Sequence, residues 1–266
     1  MKTTFYLFIS LAVLSACTKD VNPIEEKGQG VLDPASFSKF LEEKTDGVFS
    51  LTNSTTVAMQ TGDFAEVNGG FTNQEELKAT NTTESFASIG GIDVFNTDKN
   101  GLKSSNAADK LFGSKVEFII SKSGSLKSNR IDAVIDSMYV PYKLLLTHPE
   151  LDFENDKIAP GTTFEWNEDP LNDQGVVFTL IYEAYNNSEE IQITNPKDFV
   201  RTEIVVDNGK HVLTNALFKD VPEGAYLSLV ITRGNYKFAS ATETESDDIF
   251  SLYAYTAVEF GARFIK

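Results

Sequence analysis

Alternation of apolar and polar positions dominates the second half of the chain. Val140, Tyr142, Leu144 and Leu146 fall on every second position, Phe164 and Trp166 share a face with Thr162, and Val176, Phe178, Leu180 and Tyr182 share another. Successive side chains of a strand point to opposite faces, so this period of two predicts half-buried β-strands. Ile204 and Val206 lead into Asp207-Asn208-Gly209, a strong hairpin signal, and further strands are expected over 212–218, 225–232 and 250–264. Seven strands with turns between them and no helical period predict a β-sandwich.

The first half reads less sharply. Asp33-Pro34 supplies an N-cap and a first-turn proline, and Phe37, Phe40, Leu41 and Lys44 follow at helical spacing. One short helix is expected there, packed as a lid on the N-terminal domain. Apolar runs at 48–51, 57–59, 85–95 and 115–121 lie in a background of Thr, Ser, Asn and Gly. Of these, Val116, Phe118 and Ile120 show strand alternation. Residues 123–129 read as a linker or a long hairpin loop. The expected fold is all-β with two β domains: residues 33–135, mostly β with the short helix, and residues 136–266, the sandwich.

The second domain resembles a fibronectin type III module and, more broadly, a seven-stranded immunoglobulin-like sandwich. Thr162-Thr163-Phe164-Glu165-Trp166-Asn167 is similar to its second strand with the core tryptophan. Residues 175–182, ending in Tyr182, are similar to its third strand, and Val221-Pro222-Glu223-Gly224-Ala225-Tyr226 to the turn before its tyrosine corner. One position departs from the pattern. Leu227, Leu229 and Ile231 form the apolar face of that strand, which places Tyr226 on the other side with Ser228.

The N-terminus carries a different pattern: Lys2, an apolar run over 5–13 about half as long as a membrane-spanning helix needs, then small residues before Cys17, the chain's one cysteine. Leu14-Ser15-Ala16-Cys17 resembles the bacterial lipobox. That resemblance implies a signal peptide over 1–16, cleavage before Cys17 and lipid on Cys17. The polar stretch that follows, assigned to 17–32, reads as a tether. Lys19-Asp20 is similar to part of the surface-export signal of Bacteroidota lipoproteins, which implies an outer-membrane, lipid-anchored protein facing the cell surface.

Charge narrows the partners. The leader contains one charged residue, Lys2, so the chain from Cys17 onward holds 22 basic and 39 acidic residues, a net charge of −17. Such a surface repels nucleic acid and anionic lipid headgroups. Contact with the membrane is therefore expected through the lipid alone.

Candidate chemistry is sparse. Histidine-based nucleophilic catalysis has only His148 and His211 to draw on, and neither lies in a nucleophile motif, so both are expected to be solvated polar residues. No HExxH, cysteine pair or phosphate loop is present, so no metal or cofactor is expected. The acid-rich stretches 152–156 and 168–173 lack EF-hand spacing and read as solvated loop charge. Trp166 is expected in the core.

Tyr253 and Tyr255 fall on the face opposite Phe250, Leu252 and Ala254. They read either as a surface on which a ligand such as a glycan stacks or as a pair stabilising the sheet. Asp136-Ser137-Met138 resembles the Bacteroidota O-glycosylation acceptor, with Ser137 as the modified residue at an exposed domain junction. The expected function is a non-catalytic envelope binding or structural module whose partner is a glycan or another envelope protein. A glycan-binding accessory of polysaccharide uptake, an adhesin or pilus subunit and a carboxylate-dependent glycoside hydrolase stand as alternatives.

Because Cys17 is the only residue able to take the lipid, Cys17→Ala should leave the leader attached and abolish the detergent-extracted mature form. Fractionation and intact mass check this, and a lipidated product from the variant would refute it.

Overall fold

A computed structural model describes residues 30–56, 64–71, 86–96, 99–100, 103–104, 107–121, 133–150, 157–187, 197–240 and 248–266. Cys17, the tether to residue 29, the apolar run at 57–59, the proposed linker at 123–129 and the acidic loop at 152–156 lie outside them. Strands are numbered in chain order.

One large sheet organises the molecule. From edge to edge it runs β14 (Phe199–Val205), β13 (Val176–Tyr182), β16 (Tyr226–Ser240), β17 (Ile249–Phe264), β2 (Gly47–Thr56), β3 (Phe64–Phe71) and β7 (Lys103–Ser104). The short β1 (Gly30–Val31) adds to β16, and β11 (Lys157–Ile158) runs parallel to β17. Strands β16 and β17 pair continuously from Tyr226↔Arg263 to Ser240↔Ile249, a ribbon about 50 Å long at ~3.4 Å per residue. On the far side of β17, β2 pairs in parallel, with Phe250 opposite Gly47 and Thr256 opposite Asn53.

Two smaller sheets pack on the same face of this large one. The first contains β10 (Leu146–His148), β12 (Thr163–Trp166) and β15 (Lys210–Val212). Against β14-β13-β16-β17 it completes a seven-stranded sandwich whose core includes Phe164, Trp166, Phe178, Leu229, Ile231, Val258 and Phe260. The second is β6 (Lys99–Asn100), β5 (Ile92–Asn96), β4 (Phe86–Ile89), β8 (Ser114–Ser121) and β9 (Val134–Val140). It covers β17-β2-β3 over a separate core with Phe49, Leu51, Val67, Phe118, Met138, Phe250 and Leu252.

The chain is thus all-β, with two cores on one sheet. The residue 135/136 boundary read from the sequence falls inside β9, and β16 and β17 supply side chains to both cores. Alternation is the cause. On β17 the residues Phe250, Leu252 and Ala254 enter one core, and Val258, Phe260, Ala262 and Phe264 enter the other from the same strand face.

A row of polar residues separates the cores: Arg233, Thr256 and Asn53 sit opposite one another on β16, β17 and β2, all essentially inaccessible. The chain crosses the sheet over this row after Pro141, which has no N–H for a ladder. Buried backbone groups need partners, and here the row and its neighbours supply them. Asn235 Nδ2 donates to Tyr139 O at 2.8 Å, Arg233 Nη1 to Tyr142 O at 3.2 Å, and Leu144 N donates to Thr256 Oγ1 at 3.0 Å. Asn167 pairs with Lys143 O and Leu145 N. The strand expected through 140–146 is therefore a crossing segment.

Arg233 is held by Asp207, with Nε 3.0 Å from Oδ2 and Nη2 3.1 Å from Oδ1. Trp166 Nε1 and Asn172 Nδ2 each donate to the same carboxylate at 2.8 Å. Burial lowers the Arg233 pKa from its ordinary value, and the Asp207 and Asp169 charges oppose that shift. Asp207-Asn208-Gly209 consequently does not form the expected hairpin. Its flanking strands pair in different sheets, β14 with β13 and β15 with β12. The 168–173 loop is corrected as well. Asp169 and Asn172 are buried, and Asp169 accepts from Tyr139 Oη at 2.8 Å and Tyr142 N at 2.8 Å.

Removing one partner of a buried ion pair strands the other, so Asp207→Ala should destabilise the protein by about 3–5 kcal/mol. Arg233→Met with Asp207→Leu should cost clearly less than Asp207→Ala. Urea unfolding measures both, and a loss under about 1 kcal/mol for Asp207→Ala would refute the role given to the pair.

Candidate functional site

The face of the large sheet opposite the cores carries the candidate aromatics. Tyr253 and Tyr255 point there as expected, their rings 6.2 Å apart and nearly parallel at 8°. The face is not bare: apolar side chains from the N-terminal segment cover part of it. Chain 30–42 straps across it. Leu32 sits on Gly234, where a Cβ would approach the leucine Cδ1 to 2.2 Å. Asp33 then caps helix α1 (Pro34–Glu42), its Oδ1 accepting from Ala35 N and Ser36 N at 3.1 Å.

The helix turns Phe37 and Phe40 onto the sheet. Phe37 meets Tyr253 edge-on at 5.2 Å, while Phe40 packs on Tyr236 at 4.5 Å and Phe238 at 4.8 Å. Leu41 is exposed. The helix is thus a lid, but it covers strands from the end of the chain rather than the N-terminal domain alone.

Beside this lid lies an open groove of about 330 Å³, formed by Val48 and Ser50 of β2, the run from Asn68 to Phe71 of β3, and Tyr253. Tyr253, Ser50 and Asn68 lie side by side across three strands, an aromatic ring, a hydroxyl and an amide in one row. Tyr253 lines the groove and Tyr255 does not. Two glycines make the floor for different reasons. A Cβ on Gly69 would lie 2.3 Å from the buried Phe49 ring, so core packing demands glycine there, whereas a Cβ on Gly70 would meet nothing within 4 Å. None of the described residues lining the groove is charged.

The other sequence candidates separate. Ser137 lies half-buried within β9, not in an exposed junction. Asp136 is tied to Lys237 Nζ at 2.5 Å, and Met138 is fully buried in the core. His148 is exposed. His211 is not solvated as expected: its side chain is 17% exposed, with Nε2 2.9 Å from Glu203 Oε2 and the ring 5.1 Å from that of Phe178. Thr214 Oγ1 donates to the same glutamate, so the hydroxyl engages the carboxylate and not the imidazole. That arrangement joins the two sheets of the sandwich and leaves no nucleophile on the base. Trp166 is in the core, as its alternation with Phe164 implies.

Among the described residues no group of three His, Cys, Asp or Glu side chains is placed to hold a metal ion. No described helix is long and apolar enough to cross a membrane.

Sequence reasoning missed the groove because its floor, Gly69-Gly70, looks like a break in a strand. The signal was there in Asn68 and the glycines following an alternating segment.

No family model matches the chain, and no curated protein matches it. Among solved structures, the crystal structure of chicken CNTN1 FN1-FN3 domains is similar over 76% of this chain and 62% of that one, at 8% identity and a TM-score of 0.18.

Burial raises the pKa of Tyr253, Tyr255 and Tyr236 on this face, and of Tyr139 and Tyr182 inside. An unfolded tyrosine ionises near ~10. These folded phenols hold their protons more tightly, so their contribution to stability is complete below pH ~10 and is lost as pH rises beyond it. Phenolate absorbance from these five residues should appear together with loss of the β-sheet circular dichroism. Titration of all the tyrosines near pH ~10 with the sheet intact would contradict it.

Proposed function

We propose that the chain is a non-catalytic cell-envelope module, lipid-anchored through Cys17, that binds its ligand on the outer face of the large sheet. The observation that carries this reading is the groove beside Tyr253. It offers an aromatic ring and an exposed amide for recognition, and its described lining has no carboxylate, imidazole, amine or thiol to activate a hydroxyl. Leu14-Ser15-Ala16-Cys17 and the short apolar leader support the anchor, and Lys19-Asp20 supports display at the cell surface of a Bacteroidota-type envelope. The seven-stranded sandwich, similar in strand order to fibronectin type III modules, serves in this reading as a rigid support.

Detergent-extracted full-length protein should release no product from polysaccharide, peptide or ester substrates, and protease added to intact cells should remove it. Product release that disappears on a single Asp, Glu or His substitution would overturn the non-catalytic reading.

A further inference from the structure

We infer that the groove beside Tyr253 is a binding site for a neutral saccharide unit, an assignment that rests on the binding-module reading above and names its ligand class. Two independent features point to it. The first is chemical. The described lining is uncharged, so it supplies no partner for a phosphate, carboxylate or ammonium ligand. The chain's net charge of −16 further disfavours anions.

What the lining does supply suits a ring bearing hydroxyls. Tyr253 contributes an aromatic ring for the C–H side of a sugar, the exposed Asn68 offers both a donor and an acceptor to adjacent hydroxyls, and the buried Ser50 hydroxyl bonds the Tyr253 phenol and helps to hold it. Tyr253 is braced by Phe37 and by the parallel Tyr255 ring, so it is held in place before a ligand arrives. The volume of about 330 Å³ is at the small end for ligand sites, matching one or two ring-sized units.

The second feature is Gly70. Glycine weakens a strand interior, and where packing demands it the reason is visible, as it is for Phe49 against Gly69. At Gly70 no such demand exists. A side chain there would project into open space above the floor of the groove, so the glycine keeps that space empty. An extended peptide added to the sheet edge is the less favoured occupant. Among the described residues, strand β7 pairs with Glu66 and Val67 and leaves a four-residue stretch of β3 beyond them, short for the strand pairing such binding relies on.

The test uses detergent-solubilised full-length protein in affinity gels cast with neutral polysaccharides: starch, dextran, mannan, galactan and xylan. Retardation is expected in at least one gel. Gly70→Leu and Asn68→Ala should each weaken it about tenfold or more, with thermal unfolding unchanged. Gly70→Leu is the decisive variant because a Cβ at this position meets no protein atom within 4 Å. No retardation in any gel, retardation unaffected by Gly70→Leu, or displacement by an unrelated extended peptide would each overturn the saccharide assignment while leaving a non-catalytic module standing. Release of reducing sugar from the retained polysaccharide would instead remove the non-catalytic reading itself.

Discussion

Everything in this molecule turns on one buried charge. Arg233 stands on the core face of the longest ribbon in the large sheet, where an unpaired guanidinium would cost several kcal/mol. Asp207 neutralises it, and the remaining donors are spent on the main chain at Tyr142 and Asn167. The charge therefore does more than pair: it fixes where the polypeptide crosses from one smaller sheet to the other. An apolar residue at 233 would fuse the two cores but leave Tyr142 O without this donor. The same logic makes Trp166 and Asn172 dependent on Asp207, since both donate to its carboxylate. One ion pair thus links the tryptophan core, the 168–173 loop and the crossing segment.

The polar row also explains why one sheet can serve two sandwiches. Strands β16 and β17 run unbroken through both, so the halves cannot pivot on a flexible linker as independent modules do. Relative motion would have to break ladder hydrogen bonds or expose Arg233. The outer face inherits that rigidity. Tyr253 and Tyr236 face each other across the ribbon, and α1 clamps them with two phenylalanines.

How much of this was legible depended on the range of the interaction. Local pattern identified the core faces of β13 and β17, the core position of Trp166, and the Asp33-Pro34 helix start, because each follows from alternation or capping within a few residues. It failed wherever the partner lay far away. Asp207-Asn208-Gly209 has hairpin chemistry, yet Asp207 is claimed by Arg233, 26 positions on, and by Trp166, 41 positions back. Thr256 and Asn53, 203 positions apart, give no local sign that the last strand pairs with the second. Arg233 continues the odd-numbered face of Leu227, Leu229 and Ile231, so periodicity alone would have turned it inward. Reading a charge as the end of a buried face conceals that. Ser137 shows the same limit, since a three-residue resemblance carries no information about the β9 strand that half-buries it.

The strap gives the outer face a directional logic. The chain enters it as β1, paired antiparallel with Asn235 and Tyr236, lays Leu32 on Gly234, and turns at Asp33 into the helix that braces Tyr253. With lipid carried at Cys17, as proposed, twelve residues lie between the anchor and β1, a reach of at most about 45 Å. Load entering the described fold at Gly30 would meet β1 and Leu32 before it reached the cores. The aromatic contacts of Phe37 and Phe40 are what such a load would have to break. The row of Tyr253, Ser50 and Asn68 is therefore coupled more directly to the N-terminal strap than to the seven-stranded sandwich, whose part is to hold the long ribbon straight.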